Sequence, residues 1–580
     1  MENSLTQRSK TLIAIAAVAG AAAIGASLYY YSTPSVETPK KKKTKSKKKE
    51  EEIKQTIYPV DKNGVPTLSE DVIKGLTDKQ KEEWSMALKE DGNAKFKNQQ
   101  FKEAIEYYTS ALQLKEDPVF YSNRSACYVS LEDHENVIKD TTAAIKLKPD
   151  YSKCILRRSQ AYEKIENYVD AMMDLTALSI YGGFSNKSVE GLLDKTLKKF
   201  ALKLVEEKIK LQKPDLPSAS AIGSFFGAFK LETNPEGISE NSEGGDKLLF
   251  EAIKKIKENT IEGYNEADKL IEQACEAYEV LTISKENPSA SKATIALEYS
   301  SLFKFLKSLP IEASGDLAKA FNLKPTARTY VIRAIIKADQ NNFNDAQNDF
   351  KQAIKLDGEN GDAYYHAGQI YYLSGDLDTA LEYYEKAKVH NPSNIFAFIQ
   401  SACITYKLGK IKESEDKFTE AKLKFPTSPE IPNYYGELLS DRGDVPAALK
   451  QFETAARLQK ALPNFSVGAL PLINQAALIS RDNLEKFDEA EKLLREACEI
   501  DPKSELARIS LAQVVLQKES LDEAIDLFEE SANLTKNFDE KVQATQFAEA
   551  TKIQKRIRAD PVLTAKIAEV MRQQMVGINP

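Results

Sequence analysis

Five residues in the first third of the chain have the types and spacing to hold carboxylates. Lys89 and Asn93 stand one helical turn apart in LKEDGN, Asn123 lies in YSNRS, and Lys153 and Arg157 stand one turn apart in SKCILRR. Three cations and two amides with no acid among them suit a pair of carboxylates, such as the carboxy terminus of an acidic peptide, because charge-assisted hydrogen bonds are the strong ones. Taken singly, each is what a solvated helix face carries; all five at matched places are what a binding groove carries. Other chemistries lack their residues. The histidines, His134, His366 and His390, show no HExxH or other metal spacing, and Cys127, Cys154, Cys275, Cys403 and Cys498 form no CxxC pair. No disulfide framework, metal site or cofactor is expected. With no phosphate loop, no GxSxG elbow and no paired carboxylates in a recognisable frame, neither is an enzyme.

The elements that must position these side chains repeat every 34 residues, most clearly over 361–460. Tyr364, Gly368, Tyr371, Ala380, Tyr384, Ala387 and Pro392 are followed one period later by Phe398, Ala402, Phe418, Ala421 and Pro426, then by Gly436, Ala448, Phe452 and Ala455. This is the tetratricopeptide pattern, a helical hairpin in which small residues let the two helices touch and aromatic residues fill the contact. The first helix of each unit lines a concave groove, and the five carboxylate-binding candidates fall at its groove-facing places. The expected fold is all-α, a tetratricopeptide-repeat superhelical solenoid in two blocks of about eleven units in total, preceded by one transmembrane helix. The expected divisions are a short tail at 1–10, a membrane span at 11–31, a lysine-rich cytosolic linker at 32–80 and a three-unit clamp block at 81–211. A loop at 212–246, a block of about eight units at 247–538 and capping helices at 539–580 follow. The loop carries an apolar island, Phe225, Phe226 and Phe229, expected to pack back on its own solenoid rather than to swing as a latch.

At 580 residues, with 42% hydrophobic and 29% charged residues, the chain is neither a polytopic membrane protein nor wholly disordered. Its formal charge of −7 hides a block of lysines, Lys40–Lys43, Lys45 and Lys47–Lys49; the remainder is clearly acidic, so nucleic acid is not an expected partner. Thr11–Tyr31 is uncharged and alanine-rich, with the length a helix needs to cross a bilayer. It reads as a signal anchor, in preference to a cleaved signal peptide or a buried helix. The lysines that follow should remain cytosolic, which leaves the bulk of the chain facing the cytosol on a single-pass anchor. A span of alanine and glycine is weakly hydrophobic, and with basic flanks it suggests the mitochondrial outer membrane. Ala17, Ala21 and Gly25 at four-residue spacing could let a second copy approach and form a homodimer, although in an alanine-rich segment that spacing arises easily by chance, so the sequence leaves the oligomeric state open.

In the carboxy-terminal block the groove-facing places change character. They hold Tyr365, His366, Gln369 and Tyr372, then Phe396, Ile399, Gln400, Cys403 and Tyr406, then Glu430, Asn433, Tyr434 and Glu437. A tyrosine-rich apolar wall with a few acids suits amphipathic or hydrophobic segments carrying positive charge. A slip of one place would turn several of these residues inward.

The five clamp positions resemble the carboxylate-clamp tetratricopeptide domains that hold the Glu-Glu-Val-Asp tails of the seventy- and ninety-kilodalton heat-shock chaperones. Anchor, lysine linker, clamp, SFFGAF loop and carboxy-terminal block together resemble the seventy-kilodalton receptors of the fungal mitochondrial outer-membrane translocase. That resemblance implies docking of both chaperones, binding of mitochondrial precursor proteins, notably hydrophobic carriers with internal signals, and contact with other translocase subunits for transfer to the pore. A chaperone adaptor on another organelle membrane and a constitutive repeat scaffold are the alternative readings.

Overall fold

The computed structural model describes residues 56–61, 64–184, 186–230, 235–280, 284–481 and 486–576. The expected tail, membrane span and lysine block lie outside these residues. Among the described residues no helix is long and apolar enough to cross a membrane. Apart from one isolated bridge, Val60 with Pro66, the described secondary structure is helical.

The repeat pattern folds as antiparallel helical hairpins. Three lie in the amino-terminal region, Asp78–Lys97 with Phe101–Leu114, Pro118–Ser130 with His134–Leu147, and Ser152–Lys164 with Tyr168–Tyr181. Eight follow between Gly244 and Leu534, among them Gly361–Leu373 with Leu377–His390, Ile395–Lys407 with Ile411–Lys424, and Glu430–Asp441 with Val445–Ala461. Within a hairpin the small residues sit where the helices cross: Ala104, Ala144, Ala380, Ala448 and Ala524 are completely buried. Gly92 faces Tyr108, Gly368 faces Tyr384 and Gly436 faces Phe452 so closely that a Cβ would stand 2.9, 3.1 and 2.7 Å from those rings. Four of the second helices begin on side-chain caps: Asp133, Asn167, Asp376 and Asp444 each accept a backbone N–H of the first turn.

One regularity escaped the sequence reading. Arg124 donates two hydrogen bonds to Asp140, Arg158 to Asp174 and Arg333 to Asp349, each pair sixteen residues apart and each clasping the two helices of one hairpin. These carboxylates are almost wholly buried, and the two-pronged guanidinium satisfies both oxygens.

The chain divides into two compact units. One holds residues 207–548, the other the described residues of 32–206 together with 549–576. Three expected divisions therefore change. Residues 56–76 are part of a fold and not only a linker: Tyr58 is buried beside Leu88, Tyr107 and Trp84, and its hydroxyl bonds Asp91. Residues 549–576 do not cap the carboxy-terminal block, because Ile553, Ile557 and Leu563 bury their side chains with Met172 and Ile180 of the third hairpin. The 212–246 loop contains the helix Ala219–Gly227, capped by Ser218, and a further helix starts at Gly244.

That helix packs back on its own solenoid. Ile222, Phe225, Phe226 and Phe229 are all buried. Phe226 lies 5.5 Å from the Phe303 ring and 6.0 Å from Tyr264, Phe225 lies 6.0 Å from Phe305, and Phe229 lies 4.6 Å from His366. Polar contacts extend this strap along the block: Lys230 N–H donates to both oxygens of Asp362, Asn394 donates to the Ala228 carbonyl, and the Ser220 hydroxyl bonds Asp501. Gln212 donates to the Asn533 carbonyl, and Lys503 pairs with Asp215.

Gly436→Ala tests the close helix crossing. Its Cβ would meet the buried Phe452 ring, so the substitution should cost about 1–3 kcal/mol despite alanine's better helix propensity, measured by urea unfolding.

Candidate functional site

The amino-terminal hairpins bring the predicted clamp residues onto three successive first helices. Asn123 Nδ2 donates to Asn93 Oδ1 at 3.1 Å, and the Tyr108 hydroxyl donates to the same oxygen at 2.7 Å. With Oδ1 so occupied, the Asn93 amide N–H groups have no partner among the described residues and can donate outward. Arg157 is fixed by one nitrogen, Nη1, which donates to the Ser122 carbonyl at 2.7 Å and to Ser125 Oγ at 2.8 Å. Its other nitrogens have no partner among the described residues. Lys153, one turn earlier, is exposed and has no partner among the described residues. Lys89 is half-buried, and its ammonium rests 3.7 Å from Met86 Sδ, a weak contact that does not neutralise it. Of the acids on these hairpins, Asp91 accepts from the Tyr58 hydroxyl, and Asp140 and Asp174 are held by their arginines. The arrangement is a set of cations and amide donors of the kind that bonds a carboxylate.

The second predicted groove is only partly open. Tyr365, His366, Gln369, Phe396, Ile399 and Tyr434 are buried, whereas Tyr372, Tyr406 and Glu437 remain part-exposed. The strap and neighbouring repeats account for the difference. Phe229 lies against His366, and a Cβ on Gly227 would stand 3.1 Å from the Phe396 ring. His366 Nδ1 bonds Gln369 Oε1 at 2.8 Å, and burial pushes the imidazole down to about 4, so it stays neutral and structural. Burial likewise raises the Asp362 carboxyl to about 6, against the Lys230 N–H bonds that favour its ionised form. Several partners of the strap, Asp362, Asn394, Phe396 and Asp501, sit at the starts of first helices or just before them. Tyr372, Cys403, Tyr406 and Glu437 lie two to three turns along their own helices and are part-exposed.

Glu437 is the distinctive group there. Asn433 and Asn474 both donate to its Oε1, at 2.9 and 3.1 Å. Burial outweighs those two bonds and raises its carboxyl to about 7. The sequence reading found Glu437 and Asn433 but missed Asn474. Its helix, Leu470–Ser480, follows an insertion that breaks the 34-residue phase and places Asn474 41 residues after Asn433. The strap's polar partners were missed because only tertiary structure brings residues 212–230 to them.

Because Glu437 binds its proton more tightly folded than unfolded, stability is fully present at low pH and falls as pH rises through about 7. Glu437→Gln keeps an acceptor for the two amides and removes that titration. The variant should therefore gain on wild type between pH 5 and pH 8 in urea unfolding. An unchanged difference across that range would show that Glu437 carries no such shift.

Tetratricopeptide-repeat patterns match residues 92–118, 333–395 and 484–546. The Saccharomyces cerevisiae mitochondrial import receptor subunit TOM70 is 40% identical over 540 residues, 89% of this chain and 87% of that protein. The Homo sapiens protein of the same name is 27% identical over 474 residues, 78% of this chain and 76% of its relative. The crystal structure of the yeast Tom70 superposes with a TM-score of 0.58 at 44% identity, covering 84% of this chain and all of that one. With this identity across nearly its whole length, a matching solenoid and the repeats that build both grooves, the chain belongs to the TOM70 family of mitochondrial import receptor subunits.

Proposed function

We propose that the chain is a single-pass receptor of the mitochondrial outer membrane whose amino-terminal clamp docks the acidic carboxy-terminal tails of the seventy- and ninety-kilodalton heat-shock chaperones. The span at 11–31 anchors it, with the repeats facing the cytosol. The carboxy-terminal groove then takes precursor segments, notably those of hydrophobic carriers, and hands them to other translocase subunits and the pore. The observation that carries this reading is the clamp: Lys153 unpaired, Arg157 held by one nitrogen with the others free, and Asn93 locked with its donors available. A peptide ending in Glu-Glu-Val-Asp has the two carboxylates that such donors select.

Titration of the full chain with that peptide should give a Kd on the order of micromolar, roughly −8 kcal/mol. Lys153→Ala should weaken it by about tenfold without changing the melting temperature, since this side chain has no role in the fold. Carboxy-amidation of the peptide should do the same. Binding indifferent to both changes would favour a constitutive scaffold over a docking receptor.

Deleting residues 1–31 should shift the tagged protein from the mitochondrial fraction to the soluble fraction. Retention on mitochondria would place the anchor elsewhere, and attachment of the intact chain to another organelle would favour the adaptor reading.

A further inference from the structure

The part-exposed stretch of the carboxy-terminal groove contains a carboxyl group that two amides orient and that has no cation beside it among the described residues. Glu437 lies deep in the concave interior, yet its side chain still reaches solvent. Both amide bonds, from Asn433 and Asn474, fall on Oε1. Oε2 has no hydrogen bond and no cation among the described residues. Lys407, on the same wall, bonds the Tyr372 hydroxyl instead, and the hydroxyl of Tyr406 bonds Asp441 at 3.1 Å. Other acids at groove-facing places are satisfied by the protein itself: Glu430 by Ser428 and Ser466, Asp362 by Lys230 N–H and Asn391. A buried carboxylate is ordinarily paired, because desolvation of an unpaired charge is costly. Here two amides fix the group, and nothing fills the place of the cation.

We propose that Glu437 receives a lysine or arginine side chain from an amphipathic helical segment of an incoming protein laid along this part-exposed stretch. The inference rests on the reading of the carboxy-terminal groove as a precursor site and gives that site a charge rule. Part-exposed Tyr372, Cys403 and Tyr406 form the apolar wall against which the segment's hydrophobic face packs. The cationic side chain passes between those rings and ends on Oε2. A stem of methylenes with a charged tip suits that path, since it stays in van der Waals contact with the tyrosines until the charge is reached. The two asparagines hold the carboxylate still, so little side-chain freedom is lost on binding.

A double-mutant cycle on the full chain tests this. Two synthetic amphipathic helical peptides are compared, one with a single lysine within its leucine face and one with norleucine at the same place, against wild type and Glu437→Gln. Melting curves by circular dichroism confirm that the variant is folded. The lysine peptide should bind wild type about tenfold more tightly than the norleucine peptide, and that preference should vanish in Glu437→Gln. A preference that persists in the variant, or is absent from wild type, overturns the role of Glu437 while leaving the groove as a site for apolar helices. Failure of both peptides to bind either protein removes the precursor-site reading, and this inference with it.

Discussion

Everything in this molecule depends on how closely two helices can approach at the crossing inside each hairpin. Gly92 against Tyr108, Gly368 against Tyr384 and Gly436 against Phe452 leave no room for an added methyl group, and fully buried alanines occupy the equivalent crossings elsewhere. That approach sets which residues of the first helix face the partner helix and which face the groove. The clamp cations and the Glu437 carboxylate are presented to the concave side because the opposite faces of their helices are committed to these contacts. Interiors pack at crystal-like density, so a change at a crossing displaces a groove residue several ångströms away rather than being absorbed locally.

The two grooves solve opposite electrostatic problems with the same parts. In the first, an asparagine whose oxygen is already occupied offers its N–H groups beside lysine and arginine, and Asp91, Asp140 and Asp174 are held by tyrosine and arginine. In the second, two asparagines turn their N–H groups onto a glutamate and leave one oxygen bare. In both cases an amide orients the titratable group beside it. On the proposed function, such fixed dipoles would favour one sign of ligand charge without reorganising when the ligand arrives.

Much of this was legible from the sequence because a 34-residue period is a local signal, repeated often enough to fix the phase. Lys89, Asn93, Asn123, Lys153 and Arg157 could be assigned to groove-facing places from that phase alone. What could not be read was anything that depends on contacts outside the period. The buried state of His366 and Phe396 involves a segment more than a hundred residues away that carries no repeat. Asn474 follows an insertion. Residues 549–576 look like a terminal cap by position, yet their apolar side chains belong with Met172 and Ile180. The Arg–Asp clasps, by contrast, show in the sequence as a spacing of sixteen, but a charged pair on two helices looks like solvated surface until its burial is known.

The strap changes what kind of object the carboxy-terminal block is. A tandem array ordinarily couples each unit to its neighbours alone, so units can be gained or lost in evolution and the ends can fray independently. Here residues 212–230 touch Tyr264 and Phe303 near the beginning of the block, His366 in its middle, and Asp501 and Asn533 near its end. A continuous segment of fixed length thereby measures the pitch of the superhelix, as a spindle sets the spacing of what is mounted on it. Inserting or deleting one hairpin would put these anchoring points out of reach. The number of hairpins in this block is thus under a geometric constraint that an open array escapes.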